Sequence, residues 1–219
     1  MSSDPATPSP EAATEDRPPD RRKQILRAAV EVFAERGFHR TRVSDIAKRA
    51  GVAYGLIYHY FESKDDVLNS VFEDNWAVFL KVLREIEASD RSSGEKLSAI
   101  ADLLVDALRI APALIQVIIQ EVSRSDRFAQ ANKVGAFHEA FAVVGAIISG
   151  GQARGEIRPG LDPQVGAILY FGALETVCTA FMLRSIPCTT DEEAARVKRT
   201  ITETILHGML VPPSTREVT

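Results

Sequence analysis

The sequence predicts an all-α protein of about nine helices, a small three-helix head followed by a larger helical body. Three observations predict it. Apolar residues recur at a 3.6-residue period along almost the whole chain, as in Ile25, Ala29, Val32 and Phe33. Residues that start or stop helices punctuate that pattern, among them Ser44, Ser63, Pro112 and Pro163 at starts and Gly37 and Gly51 at stops. One stretch, Thr41–Lys64 (TRVSDIAKRAGVAYGLIYHYFESK), pairs two short helical patterns across a glycine turn.

Residues 1–19 hold five prolines among Ser, Thr, Ala and acids, too little apolar surface to offset the entropy of ordering, and are expected to be a disordered tail. The first helix is expected over about Asp20–Arg36 and ends at Gly37. In the second, Ser44 is the expected N-cap, and Ile46, Ala47 and Ala50 form the apolar face. Gly51 stands where a helix C-terminus favours positive φ, and Val52 plugs the turn. The third helix, about Tyr54–Phe61, turns Leu56, Ile57 and Phe61 inward and leaves Tyr54, Gly55, Tyr58 and His59 for another surface. Tyr60 is expected in the core.

Ser63 caps a long fourth helix, to about Glu87, with Asp65 and Asp66 complementing the dipole of its first turn. Its length makes it a natural lever between head and body, and Trp76, off its main stripe, is expected to pack between helices. Further helices are expected at about Glu95–Ile110, Pro112–Ser123, Arg127–Arg154, Pro163–Ile186 and Asp191–Leu210. The one beginning at Pro112 is apolar nearly all round, so it is buried on several sides. These elements divide the chain into a tail at 1–19, a head at 20–66, a body at 67–211 and a flexible tail at 212–219.

A helix-turn-helix places its second helix in the DNA major groove. The charge agrees with that use. The 219 residues carry a net −4, yet Asp20–Asp65 holds ten Lys/Arg against six Asp/Glu, a local net of +4. Reading a sequence needs groups at base edges held by groups on phosphate. Thr41, Arg42, Ser44, Tyr58, His59 and Lys64 are the candidates for phosphate, and Tyr54 and Gly55 are placed for the groove floor. Arg21, Arg22 and Lys23 are a further basic run at the start of the first helix.

Other classes find little support. The four histidines are scattered, and there is no Gly-x-Ser-x-Gly, phosphate loop or His-Glu-x-x-His, so neither catalytic residues nor metal ligands nor a cofactor are expected. Cys178 and Cys188 fit no metal or redox spacing and read as cytoplasmic thiols. The longest apolar run, Ala140–Ile148, falls well short of the roughly 20 residues of a membrane span, so no membrane partner is expected. The body's surplus of aromatic and aliphatic side chains suits a mostly apolar pocket for a small hydrophobic ligand.

The run VSDIAKRAGVAYGLIYHYFESKDDVL resembles the signature of the TetR family of bacterial transcriptional regulators. Tyr54-Gly55 at the place of the family's small-residue pair, the Ile57-Tyr58 step, the aromatic pair Tyr60-Phe61 and the Lys64-Asp65 start of the next helix carry the resemblance, over about Lys23–Leu68. It implies a double-stranded DNA operator, usually a palindrome, bound by a homodimer formed through the helices at about 163–186 and 191–210. The small residues Gly166, Ala167, Gly172 and Ala173 suit a close helix approach there. The body segment from about Pro112 to Ser185, with IISGGQARGEIRPGLDPQVGAILYFGALETVCTAFML, resembles fatty-acid-degradation regulators that bind long-chain acyl-coenzyme A. It implies an acyl chain among Leu104, Leu108, Ile115, Ile118, Phe137, Phe141 and Phe171, and phosphate-binding cations drawn from Arg109, Arg124, Arg127 and Lys133. A drug-responsive repressor of an efflux gene is the alternative. A helical protein-interaction module without DNA binding is a more remote one.

Overall fold

The computed structural model describes residues 20–122 and 134–208, and every described regular element is helical. The elements are α1 (Arg21–Arg36), α2 (Val43–Ala50), α3 (Tyr54–Tyr60), α4 (Lys64–Ala88) and α5 (Ser93–Ile110). They continue with α6 (Pro112–Val117), which runs into a π-helical turn Ile118–Val122, then α7 (Val134–Ala153), α8 (Pro163–Met182) and α9 (Asp191–Ile201), which runs into a π-helical turn Thr202–Leu206. The expected tails at 1–19 and 212–219 lie outside the described residues, as do the start of the helix expected from Arg127 and the end of the one expected to reach Leu210.

Caps set the helix starts. Asp20, Ser63 and Ser92 each accept a backbone N–H from the first turn of α1, α4 and α5. Thr190 and Glu193 form a reciprocal capping box on α9, and Asp162 accepts from the N–H groups of both Gln164 and Val165 on α8. α3 and α6 start at Ala53 and Ala111 without a side-chain cap. In α2 the N-cap is Arg42, whose N–H donates to the Asp45 carboxylate at 2.9 Å, so Ser44 lies inside the first turn and is not the cap. Asp45 is three residues past the cap, the position from which a carboxylate reaches back.

Two cores organise the chain. The head core gathers Ile25, Ala29 and Phe33 of α1, Phe38, Ile46 and Ala47, Ile57 of α3, Phe61, and Val67, Val71 and Phe72 of α4. Each fully buried side chain of this size contributes roughly 1.5–3 kcal/mol relative to exposure. The first turns of α4 are therefore packed into the head, beyond the division expected at residue 66. The body core brings together Leu83, Leu97, Ile100, Val105, Val144, Ile148, Tyr170 and Leu174, with Ala194, Val197 and Ile201 of α9. The Tyr170 ring is 1% exposed, and its hydroxyl donates to the Leu97 carbonyl at 2.5 Å.

Head and body are joined through more than one helix, and Phe137 of α7 also stacks on Phe72 of the head core at 5.9 Å. α4 passes through both cores. α6 also reaches the head, because Val117 is buried in the head core and Gln116 Nε2 donates to the Ala34 carbonyl at 3.0 Å. The body is closed at its far end by Glu156, which links Arg154 to the N-terminus of α5 through the Ser93 N–H at 2.7 Å. Gly151 makes room there, since a Cβ on it would lie 2.5 Å from Ser93 Oγ.

α8 is the one described helix long and apolar enough, by length and composition, to cross a membrane. The run Ala140–Ile148 understated this, because residues 165–174 of α8 are a longer uninterrupted apolar run on the same count, glycines and Tyr170 included.

Candidate nucleic-acid interface and ligand cavity

The turn between α2 and α3 is built on Gly51, which adopts φ 64°. The Val52 N–H then donates to the Ala47 carbonyl at 3.0 Å. Ile57 is buried beneath α3, and this orients the opposite face outward. Tyr54 and Tyr58 are 54% and 48% exposed, and Gly55 and His59 are exposed beside them. The Tyr54 and Tyr58 hydroxyls are 3.0 Å apart, and the rings meet edge to face at 5.3 Å. Tyr54 holds the Tyr58 phenol above its usual ionisation range through that bond, so it stays a neutral donor. A Cβ on Gly55 would meet nothing within 4 Å in the free protein. Arg42 and Ser44 are exposed at the start of α2.

Two expected phosphate contacts turn inward. Thr41 is 2% exposed and its hydroxyl donates to the Gly37 carbonyl at 2.8 Å, which removes it from any outer surface. Lys64 donates to the carbonyls of Phe38 and Thr41 at 2.7 and 2.8 Å, with its ammonium 4.2 Å from the Phe38 ring centre. It fastens the loop between α1 and α2 to the start of α4. Tyr60, expected in the core, is 38% exposed.

Ion pairing sorts the head's remaining cations. Arg22 binds Asp74, Lys23 binds Asp20 at 3.5 Å, Arg36 binds Asp45 at 3.0 Å, and Arg49 binds Glu31 and Glu35. Arg21, Arg27, Arg40, Arg42 and Lys48 hold no ion pair with a described residue and supply the free positive charge. Arg22 is thus a strut between α1 and α4, with its guanidinium 5.7 Å from the Phe61 ring centre.

The body encloses a cavity of about 650 Å³. Asn75, Trp76, Phe79 and Val82 of α4 line it, with Leu103, Leu104 and Ala107 of α5 and Leu114, Ile115, Ile118 and Ile119 from α6 and its π turn. Phe137, Ala140 and Phe141 of α7 and Ile168, Phe171, Gly172, Leu174 and Cys178 of α8 complete it. Asn75, His138 and Glu175 are its polar wall residues, and Asn75 donates its amide to the Val71 carbonyl at 2.7 Å. Burial pushes the Cys178 thiol up to about 12, so it is a neutral apolar wall group.

Of the residues assigned to an acyl chain, Leu104, Ile115, Ile118, Phe137, Phe141 and Phe171 line the cavity. Leu108 does not; it is 1% exposed and packs behind the wall with Ile119 and Cys178. Arg109 is not at the mouth either. Its guanidinium pairs with Asp191 at 2.5 Å and so ties α5 to the start of α9. Arg124, Arg127 and Lys133 lie outside the described residues. The sequence reading missed Phe79 and Ile168, and assigned Trp76 only to packing. Trp76 both stacks in the core and lines the cavity.

Residues 25–71 match the family model of tetR-family bacterial regulatory proteins, and residues 72–204 match the C-terminal region of YsiA-like proteins. The chain is 31% identical over 161 residues to the fatty acid metabolism regulator protein of Bacillus subtilis (strain 168), covering 73% of this chain and 82% of the relative. It resembles the structure of the fatty acid degradation regulator FadR from Bacillus halodurans with a TM-score of 0.77 and 28% identity, over 88% of this chain and 97% of that one. For FadR from Bacillus subtilis in complex with stearoyl-CoA the TM-score is 0.75 and the identity 29%, over 85% and 98% of the two chains.

Proposed function

The chain belongs to the tetR family of bacterial regulatory proteins, and from that premise we propose that it is a transcriptional repressor released by a long-chain acyl-coenzyme A. Two copies bind a palindromic operator, each presenting Tyr54, Gly55, Tyr58, His59, Arg42 and Ser44. The observation that carries the reading is the cavity of about 650 Å³, whose walls include the two helices that also enter the head core. Its size lies within the ~300–1,000 Å³ of ordinary ligand pockets. A wall this apolar suits an alkyl chain, and the similar FadR of Bacillus subtilis has been seen in complex with stearoyl-CoA.

Release follows from linkage. A ligand shifts the protein only as far as it prefers one arrangement over the other. An acyl chain against Trp76 and Phe79 bears on α4, and one against Leu114, Ile115 and Ile118 bears on α6. Both helices carry a displacement to the head, α4 through Val71 and Phe72 and α6 through Val117 and the Gln116–Ala34 bond. Two heads moved apart no longer match half-sites spaced one helical turn, or a multiple of it, apart. Arg124, Arg127 and Lys133 are the residues proposed for the coenzyme A phosphates, and in the sequence they fall between the wall residues Ile119 and Phe137.

The test is displacement of the protein from DNA upstream of its own gene. Stearoyl-CoA is expected to release it, and coenzyme A alone is not. Leu104→Trp, which fills the cavity, is expected to keep DNA binding and lose the response. Release by an unrelated hydrophobic drug with no effect of acyl-CoA would move the reading to the efflux class. No binding to any upstream DNA would leave only the interaction-module reading.

A further inference from the structure

The polar residues of the cavity wall share one layer. Phe79 of α4, Phe141 of α7 and Phe171 of α8 form an aromatic layer, the Phe171 ring centre lying 5.5 Å from Phe141 and 6.5 Å from Phe79. Asn75, His138 and Glu175 each stand one helical turn from one of these rings, on the same helix and the same face. α8 runs antiparallel to α7, since Gly145 faces the Pro163 carbonyl while Phe141 meets Phe171. The three turns therefore lead the same way, towards the head, where Trp76 and Phe137 meet at 4.5 Å. Val82 and Ile168, on the other side of the aromatic layer, are apolar. The cavity is polar at its head end and apolar beyond.

Asn75 differs from its two neighbours in the layer. His138 and Glu175 are exposed and keep their water whatever fills the cavity, whereas Asn75 is half-buried. Its Nδ2 donates to the Val71 carbonyl at 2.7 Å. A carbonyl accepts and never donates, so this bond fixes which end of the amide is nitrogen and turns Oδ1 away from the α4 backbone. Among the described residues nothing donates to that oxygen. A plain alkyl chain laid over it takes an acceptor out of water and returns no bond, which costs more than a made bond gains. A site with such an acceptor favours a ligand bearing a hydroxyl over the analogue without one, a distinction that apolar walls draw only weakly.

We propose that Asn75 is a specificity-determining residue, the acceptor for a hydroxyl carried on the ligand's chain. The cavity takes a hydroxylated long alkyl chain in preference to the plain chain of the same length. Its hydroxyl lies in the polar layer and the rest of the chain lies against Phe79, Phe141 and Phe171. The proposal rests on the ligand-gated reading above and deepens it by naming the class of chain.

Decanol and its methyl ether, which differ in one hydrogen-bond donor, test it, with binding followed by tryptophan emission. The unaltered protein is expected to bind the alcohol about fivefold more tightly than the ether, within the range of one hydrogen bond to a buried acceptor. Asn75→Leu keeps nearly the same shape without the acceptor and is expected to reverse the order. The same variant is expected to hold stearoyl-CoA about fivefold more tightly than the unaltered protein, because the plain chain no longer covers an unpaired oxygen. A residue that only supports the wall gives no such gain. An unaltered protein that prefers the ether, or binds neither compound, overturns the proposal. So does a folded Asn75→Leu protein that keeps the preference for the alcohol or binds stearoyl-CoA more weakly. If the unaltered protein ignores stearoyl-CoA, the effector reading fails by itself, and the alcohol and ether, which carry no coenzyme A, still decide the role of Asn75. Folding is checked by circular dichroism; should Asn75→Leu not fold, Asn75→Ala takes its place, with loss of the preference for the alcohol as the expected result and its retention as the one that overturns the proposal.

Discussion

The Tyr54 hydroxyl lies 3.0 Å from the Tyr58 hydroxyl, one turn along α3 on its exposed face. One hydroxyl donates to the other, so a single O–H remains to point at an outside acceptor. Tyr58→Phe breaks the pair without touching the core. It is expected to weaken DNA binding by about 0.5–1.5 kcal/mol, the net worth of one hydrogen bond, and to leave thermal stability unchanged. Fluorescence anisotropy on the upstream DNA measures the first, and a melting curve the second. An unaltered affinity would remove the pair from the interface.

Two glycines at the reading head are expected to respond in opposite directions. Gly51 sits at φ 64°, where a side chain costs about 1–2 kcal/mol, so Gly51→Ala lowers stability by that amount. Gly55 lies inside α3 with open space beyond it, and Gly55→Ala is expected to raise stability by about 0.5–1 kcal/mol. The added methyl stands where the groove floor approaches, so DNA affinity falls as the melting temperature rises. Chemical denaturation and a DNA titration on the same sample separate the two effects.

Lys64 and Arg42 are both cations of the head, but the structure gives them different work. Lys64→Met removes two charged hydrogen bonds to the loop between α1 and α2 and is expected to cost about 1.5–3 kcal/mol of stability per bond lost, at most. Its salt dependence of DNA binding stays the same. Arg42→Ala is expected to leave stability unchanged and lower the salt slope by about 1. Titrations at several salt concentrations decide it, and a reduced slope for Lys64→Met would return that residue to the phosphate surface.

Arg154 and the Ser93 N–H hold the Glu156 carboxyl well below the usual 4.5, at about 2. A carboxylate with a depressed folded value stabilises above its unfolded value and loses that contribution as pH falls towards the folded one. The native protein is therefore expected to melt higher than Glu156→Gln at neutral pH. The gap should narrow below about pH 4.5 and close near pH 2. Melting temperatures across that range check it, and a constant gap would mean that the charge is not the cause.

The head was legible in the sequence because local chemistry fixes it. A left-handed glycine, a cap and a 3.6-residue stripe are visible within a few residues, and α3 emerged with the expected face outward. What failed there needed three-dimensional information. Thr41 and Lys64 are polar residues whose partners are backbone carbonyls, and a carbonyl free to accept a bond leaves no mark in a sequence. In the body, Leu104, Ile115, Ile118, Phe137, Phe141 and Phe171 line the cavity and lie in stretches so apolar that many positions face the interior. Leu108 was misplaced and Ile168 omitted for the same reason. Where a helix is apolar on several sides, periodicity does not say which side meets a wall, a void or another chain. Arg109 was placed at a mouth because its anchor, Asp191, lies 82 residues away in the chain.

Trp76 stacks on Phe72 at 5.1 Å and meets the Phe137 ring, tilted, at 4.5 Å while forming part of the cavity wall, and it is the chain's single tryptophan. The protein thus carries its own optical gauge at the joint between head and body. Emission excited at the indole comes from one place, so a shift in its colour or intensity on adding a candidate effector reads entry into the cavity directly, without a label and without knowing the operator.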